Sequence, residues 1–296
     1  MDPAVDLYSI RDFIRFGASQ FRSAGLCFGH GTDNAFDEAA WLVLHTLSLP
    51  LDLPETWWES RLTATERARV EAVLRQRVNS RKPAAYITRE AWFMGLPFYV
   101  DERVLVPRSP IAELIASGFA PWLEPDAVHR VLDLCTGSGC IGLATGSVFP
   151  DAEIWLADLS LDALAVARRN VGNHGMEARC RIVQSDVFEG LATAPGFDLI
   201  VSNPPYVDAA DMAGLATEYR HEPALGLAAG DDGLDVVRRI LAQATGHLNE
   251  AGVLIVEVGN SQPALEAAFP ELPFTWLEFA DGGQGVFLLT REQLSQ

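Results

Sequence analysis

From Val128 onward the chain alternates two patterns. Short apolar runs occupy Val131–Leu134, Glu153–Ala157, Arg181–Gln184, Asp198–Val201, Val253–Val258, Phe274–Phe279 and Val286–Thr290. Between them lie segments whose apolar positions recur every three or four residues, as in Leu161–Asn173 and Leu234–Leu248. Near-continuous apolar runs mark strands buried on both faces, and the intervening period marks helices. Strand–helix alternation of this kind predicts an α/β fold with a parallel, doubly wound sheet. The last two runs are too close together for a helix, so the final strand is expected to be antiparallel.

The first 83 residues read differently. Leu7, Ile10, Ile14 and Phe21 share one helical face, and Ala40, Leu44 and Leu47, with Trp41 and Leu42 beside them, recur at core spacing in a second helix over Ala35–Leu47. The turn Gly29–Asn34 can cap that second helix. Thr63-Ala64-Thr65-Glu66 is a capping box opening a third helix through Val70, Val73, Leu74 and Val78, with Pro83 beyond it. Tyr86-Ile87-Thr88, Trp92-Phe93-Met94 and Phe98-Tyr99-Val100 look extended, with Gly95-Leu96-Pro97 as a turn. Ser109 then reads as an N-cap and Pro110 as the first residue of another helix. The expected organisation is a helical domain over residues 1–83, a β-hairpin linker over 84–107, and the α/β domain over 108–296. The helical segment has no catalytic constellation, so its expected task is to dock a macromolecular substrate.

Candidate chemistry gathers at the ends of the predicted strands. Asn203-Pro204-Pro205-Tyr206 follows the run Phe197–Ser202. Neither proline donates a ladder hydrogen bond, so the strand stops there and Asn203 is left at the carboxyl edge, where open α/β sheets bind ligands. An amide or exocyclic amino NH2 is a poor nucleophile because its lone pair is delocalised. The Asn203 side-chain oxygen and the Pro204 carbonyl can accept its two N–H groups, aim the lone pair at a methyl donor, and stabilise charge growing on nitrogen. Pro205 and Tyr206 complete the substrate side, Tyr206 as a flat apolar wall. Taken alone, Asn-Pro is also a common turn; the strand before it and the glycines upstream favour the functional reading.

Those glycines lie in Val131–Gly142, which contains G-x-G-x-x-G at Gly137, Gly139 and Gly142. The pattern alone fits a dinucleotide as well as any other ribose-bearing ligand. Asp158, at the next strand end, is placed to accept from a ribose diol. Asp186 can accept from an adenine amino group, and Val187 and Phe188 can line an adenine slot. Asp133 discriminates. A carboxylate ahead of the glycines is unfavourable beside a pyrophosphate, and favourable beside an ammonium and a sulfonium. Each carboxylate taken singly could be a helix N-cap; three at successive strand ends point to S-adenosylmethionine.

Composition narrows the partners. The 296 residues carry 22 basic and 40 acidic side chains, a net charge of −18. That argues against gripping nucleic acid through its phosphates and suits a basic protein partner. Hydrophobic content of 49% and a mean hydropathy of +0.11 indicate a packed globular protein. Cys27, Cys135, Cys140 and Cys180 form no C-x-x-C pair and the six histidines are scattered, so no metal site is expected. Asp2, Asp6 and Asp12 argue against a secretory signal, and the apolar runs are short for a membrane span. The expectation is a cytoplasmic protein with no membrane contact.

The seven-strand pattern, Asp133-Leu134-Cys135-Thr136-Gly137-Ser138-Gly139 and Asn203–Tyr206 together resemble the class I, Rossmann-like methyltransferases that modify protein glutamine side chains. The likeness covers the helical amino-terminal segment, the Phe93–Phe98 hairpin and the α/β domain. One bacterial branch of that family methylates peptide-chain release factors and typically reads Pro-Arg-Pro-Glu-Thr after the hairpin. This chain reads Pro107-Arg108-Ser109-Pro110-Ile111-Ala112-Glu113, with Arg220-His221-Glu222-Pro223-Ala224-Leu225 and Glu257-Val258-Gly259-Asn260-Ser261. It is more similar to the branch acting on a glutamine of large-subunit ribosomal protein L-three. The resemblance implies that Asn203 and Pro204 hold the glutamine amide. It also implies that Cys135, Thr136, Gly137, Ser138, Gly139, Asp158 and Asp186 bind S-adenosyl-L-methionine, alongside Asp133, Val187 and Asn203. Where the release-factor branch often has tryptophan after the third-strand acid, this chain has Val187. A DNA or RNA adenine methyltransferase shares Asn-Pro-Pro-Tyr, because adenine also presents an NH2, but needs a basic strand-binding surface. A non-enzymatic binding module would have no use for the intact motif.

Overall fold

A computed structural model describes residues 6–280 and 282–295. The chain forms two compact units. The first holds Met1–Ala91 and takes in Ala216–His221 from much later in the sequence. The second holds Trp92–Leu215 and Glu222–Gln296. The charge divides unevenly: the first unit has 13 acidic and 12 basic residues, the second 27 and 10.

In the first unit α1 (Ile10–Ser23) opens on a Ser9–Asp12 capping box, α2 (Ala35–Thr46) on Asn34, and α3 (Ala64–Ser80) on a Thr63–Glu66 capping box. Ile10, Phe13, Ile14 and Phe21 of α1 are buried, as are Trp41, Leu42 and Leu44 of α2 and Val70 and Leu74 of α3. Gly17 lets the three helices close up, since a Cβ there would sit 2.8 Å from Leu74 and 3.1 Å from Ala39. Tyr86-Ile87-Thr88 is helical, not extended, within α4 (Ala84–Thr88). Pro83 presets the first turn, its carbonyl accepts from the Tyr86 and Ile87 amides, and the Thr88 hydroxyl returns to the Ala84 carbonyl.

An ion cluster, fully buried at Arg77, Glu38 and Glu218, ties the late segment into this unit. The Arg77 guanidinium donates to Glu38 at 2.6 Å and to the Cys27 carbonyl at 3.1 Å. Glu218 accepts from the Cys27 amide at 3.0 Å and pairs with Arg81 at 2.9 Å, with Arg77 3.8 Å away. Burial pushes the Glu38 carboxyl up from its ordinary value, against Arg77 pulling it down.

In the second unit the hairpin of β1 (Glu90–Phe93, beginning at the edge of the first unit) and β2 (Leu96–Tyr99) turns at Met94-Gly95, both with positive φ, as a tight two-residue loop requires. After α5 (Ile111–Ala116) come β3 (Arg130–Leu134), α6 (Cys140–Val148), β4 (Glu153–Asp158), α7 (Leu161–Asn173), β5 (Cys180–Gln184) and β6 (Phe197–Ser202). Then follow α8 (Ala209–Gly214), α9 (Asp235–Gln243), β7 (Leu248–Glu257), α10 (Gln262–Ala268), β8 (Thr275–Trp276), β9 (Val286–Thr290) and α11 (Arg291–Leu294). Sheet order is β5-β4-β3-β6-β7-β9-β8, parallel from β5 to β7, with β9 antiparallel to both neighbours as its short connection requires. The run predicted over Phe274–Phe279 shrinks to a two-residue strand, because Pro273 precedes it and it lies at the sheet edge with one partner.

Alternate residues of the central strands feed two cores. Val131, Leu199, Val201 and Ile255 pack with Ile111, Ile115, Ile141 and Leu143, while Leu132, Ile200, Leu254 and Val256 pack with Val237, Ile240, Leu241 and Leu265. Each fully buried aliphatic side chain is worth about 1.5–3 kcal/mol, so the two packed faces hold this sheet rigid beneath whatever its edge carries.

Candidate functional site

Strand register sets the site. Leu134 pairs with Ala157 on one side and with Ser202 on the other, and Ser202 pairs with Val256. The next residue of each strand therefore falls in one row along the carboxyl edge: Asp158, Cys135, Asn203 and Glu257. The chain turns opposite ways from β3 and β6, which opens a crevice between them.

A cavity of about 160 Å³ occupies that crevice, lined by Cys135, Gly137, Asp158, Asp186, Val187, Asn203 and Pro205 among others. These seven sequence-predicted residues come together within the second unit. Gly139, with φ +84°, caps α6. Gly142 is required by close packing: a Cβ there would collide with Leu156 and lie 2.9 Å from the Asp133 side chain. Cys135 and Val187 hold positive φ of 61° and 51°, a costly conformation for residues with a Cβ, above all a branched one. Both such positions border the cavity, as strain at binding sites commonly does.

Several side chains are spent differently from the sequence expectation. Asp133 does not border the cavity; it is buried beneath the glycine turn, accepting from the Thr136 hydroxyl at 2.5 Å and the Gly142 amide at 2.8 Å. Burial pushes its carboxyl up to about 7 while those two bonds pull it down. Both bonds reach the same carboxylate oxygen and tie the turn down. Thr136 and Ser138 are buried within the same turn. Asp158 accepts from the Gly137 and Ser160 amides, each at 2.9 Å, and burial nevertheless raises its pKa. Asp186 accepts from Arg239 at 2.7 Å, a partner 53 residues away. Burial is the first cause that drives the Cys135 thiol up, with Asp158 next and Asp133 and Asp186 adding to it, so this floor favours a cation over an anion.

Tyr206 is not a cavity wall. Its hydroxyl donates to Glu257 at 3.0 Å, its carbonyl accepts from the Ser261 hydroxyl at 2.7 Å, and its ring lies so close to Gly259 that a Cβ there would be 2.6 Å away. α5 starts one residue later than expected, with Pro110 at the cap position and no side-chain cap; Ser109 accepts from the Ile111 amide at 3.2 Å and donates to the other oxygen of Glu257 at 2.6 Å. Beside it, Arg108 makes a two-pronged pair with Glu222 at 2.7 and 2.6 Å. From the sequence Ser109 reads only as a helix cap, and Glu222 and Glu257 only as parts of segments that mark the branch. The one available signal was that Glu257, like Asp158, is an acid ending a strand. Among the described residues no group of His, Cys, Asp and Glu is arranged to hold a metal, and no helix is long and apolar enough to cross a membrane.

Residues 116–219 match the family model described as Methyltransferase small domain. The chain is 54% identical to the ribosomal protein uL3 glutamine methyltransferase of Neisseria meningitidis serogroup B, over 98% of this chain and 96% of that protein. The protein of the same description from Bordetella pertussis is 50% identical over 98% and 97%. Among solved structures, the hMettl16 catalytic domain in complex with a 3'UTR hairpin superposes with a TM-score of 0.51 at 17% identity, over 77% of this chain and 81% of that one, a likeness of fold.

Proposed function

Because the chain belongs to the family of ribosomal protein uL3 glutamine methyltransferases, we propose that it methylates the side-chain amide nitrogen of a glutamine in uL3, using S-adenosyl-L-methionine. The observation that carries this reading is the row at the sheet edge: Asn203 stands beside Cys135 and Asp158 on one cavity. Its fit to the cofactor rests on the acidic floor, on Asp158 at the ribose position, and on Gly137, which borders the cavity with a positive φ of 55° that suits glycine. When bound, the cofactor supplies an electrophilic methyl on a sulfonium.

The chain's own residues do the rest. The Asn203 Oδ1 and the Pro204 carbonyl accept the two amide N–H groups, turn the nitrogen toward the cavity, and stabilise positive charge as it grows. No strong base is needed before attack, because the proton becomes acidic once the methyl is on. Pro205 borders the cavity and Tyr206 braces the motif. Asp186 and Val187 bound the adenine side.

The helical unit, residues 1–83 in the domain scheme, docks the protein substrate. Support comes from its exposed Tyr8, Phe36 and Trp57, and from a cavity of about 180 Å³ bounded by Ile10, Leu47, Leu53, Trp57 and Leu62. Residues 84–107 serve as linker and 108–296 as the methyltransferase domain. The strongly acidic second unit suits a basic ribosomal protein met in the cytoplasm before or during ribosome assembly.

The test is to incubate the protein with methyl-labelled S-adenosylmethionine and purified uL3, then locate the label by peptide mass spectrometry. One methyl on a glutamine side chain is expected. Label found on nucleic acid and absent from protein would replace this reading by the adenine methyltransferase one.

A further inference from the structure

We propose, on the glutamine-methylation reading above, that Glu257 is a positioning residue that fixes the Asn203 amide with its oxygen toward the substrate. Register puts the two side by side: Ser202 and Val256 are partners on β6 and β7, and Asn203 and Glu257 are the residues that follow. Glu257 is 4% exposed, so its carboxylate acts through protein partners. One oxygen accepts from Tyr206, the other from Ser109, and the Asn203 side chain interacts favourably with the same carboxylate. An ionised carboxylate is an acceptor only. Asn203 must therefore give it the NH2 end, which leaves Oδ1 facing the other way, where the reaction needs an acceptor. The Tyr206 bond secures the far end of the same four-residue motif.

The groups facing Glu257 are Ser109 and Arg108 from the segment before α5, and Asn203 and Tyr206 from the motif after β6; Glu222 acts on Tyr206 in turn. Arg108 is engaged two-pronged with Glu222, so it neutralises Glu257 incompletely. Burial raises the Glu257 carboxyl to about 7, with Ser109 and Tyr206 pulling it down and Arg108 and Asn203 adding to that pull. Protonation places a hydrogen where Asn203 and Tyr206 need an acceptor. The competent form is the ionised one, present as pH rises through about 7.

The test compares wild type, Glu257→Gln and Tyr206→Phe at saturating uL3 and S-adenosylmethionine. The wild-type kcat should rise with pH through about 7 and then level off. Glu257→Gln should lower kcat roughly 10- to 100-fold, less than the full loss of a transition-state contact. It should also abolish that acid limb, with KM for uL3 and calorimetric cofactor affinity nearly unchanged. Tyr206→Phe should lower kcat and keep the limb. A wild-type kcat that is flat across neutral pH overturns the proposal even where Glu257→Gln cannot be purified folded. So does a folded Glu257→Gln protein with normal kcat or an unchanged acid limb. A wild-type protein that methylates no glutamine at any pH overturns the reading beneath it, and this inference with it.

Discussion

Replacing Asn203 by alanine is expected to lower methyl transfer ~100- to 1,000-fold, the usual cost of losing one transition-state hydrogen-bond partner. Asn203 borders the cavity and follows a strand five of whose six residues are buried. Its removal therefore deletes the acceptor without opening the core. The thermal midpoint should stay close to wild type. Turnover is best read in single-turnover experiments, so that product release does not mask the chemical step. An Asn203→Ala protein with near-normal rate would remove Asn203 from the reaction.

Arg77→Ala is expected to destabilise the helical unit by about 3–5 kcal/mol, because it leaves the Glu38 carboxylate buried without its guanidinium partner, while Glu218 keeps Arg81. Arg77, Glu38 and Glu218 are all fully buried. Glu38 sits 2.6 Å from the guanidinium and already has its pKa raised by burial. Urea unfolding followed by tryptophan fluorescence reports on this unit through Trp41, Trp57 and Trp58. Replacing all three ionic residues by apolar ones of similar size should restore much of the stability, whereas Arg77→Ala alone should not. Because no catalytic side chain belongs to this unit, the variant should keep cofactor binding and lose turnover on whole uL3. Unchanged unfolding would show that the cluster adds nothing to stability.

The fold was legible wherever one local pattern decided the outcome. Apolar runs fixed β3, β4, β6 and β9, and capping residues at Asn34 and Thr63 fixed helix starts. The same logic put Asn203, Cys135 and Asp158 at strand ends, and parallel register then brought them into one row. What was hidden depends on partners far away in sequence. Ser109 and Glu257 are 148 residues apart, Asp186 and Arg239 are 53, and Cys27 and Glu218 are 191. No periodicity encodes such pairs. Asp133 shows the limit of reading a carboxylate from its position alone: an acid beside a glycine turn can serve the ligand or the turn, and here one of its oxygens accepts from both Thr136 and Gly142. Tyr86–Thr88 misled because β-branched and aromatic residues favour strands, while Pro83 and the alanines after it set a helical turn first.

The central claim is that the target is a glutamine of uL3. A release factor would present the same amide to Asn203, so the reaction chemistry cannot separate the two and surfaces outside the motif must. The most direct measurement is a competition at equal concentrations of purified uL3 and release factor, with limiting enzyme and labelled S-adenosylmethionine, read by mass spectrometry. The account predicts label predominantly on one uL3 glutamine, at a rate that falls as salt screens the acidic second unit. Predominant label on the release factor would contradict it.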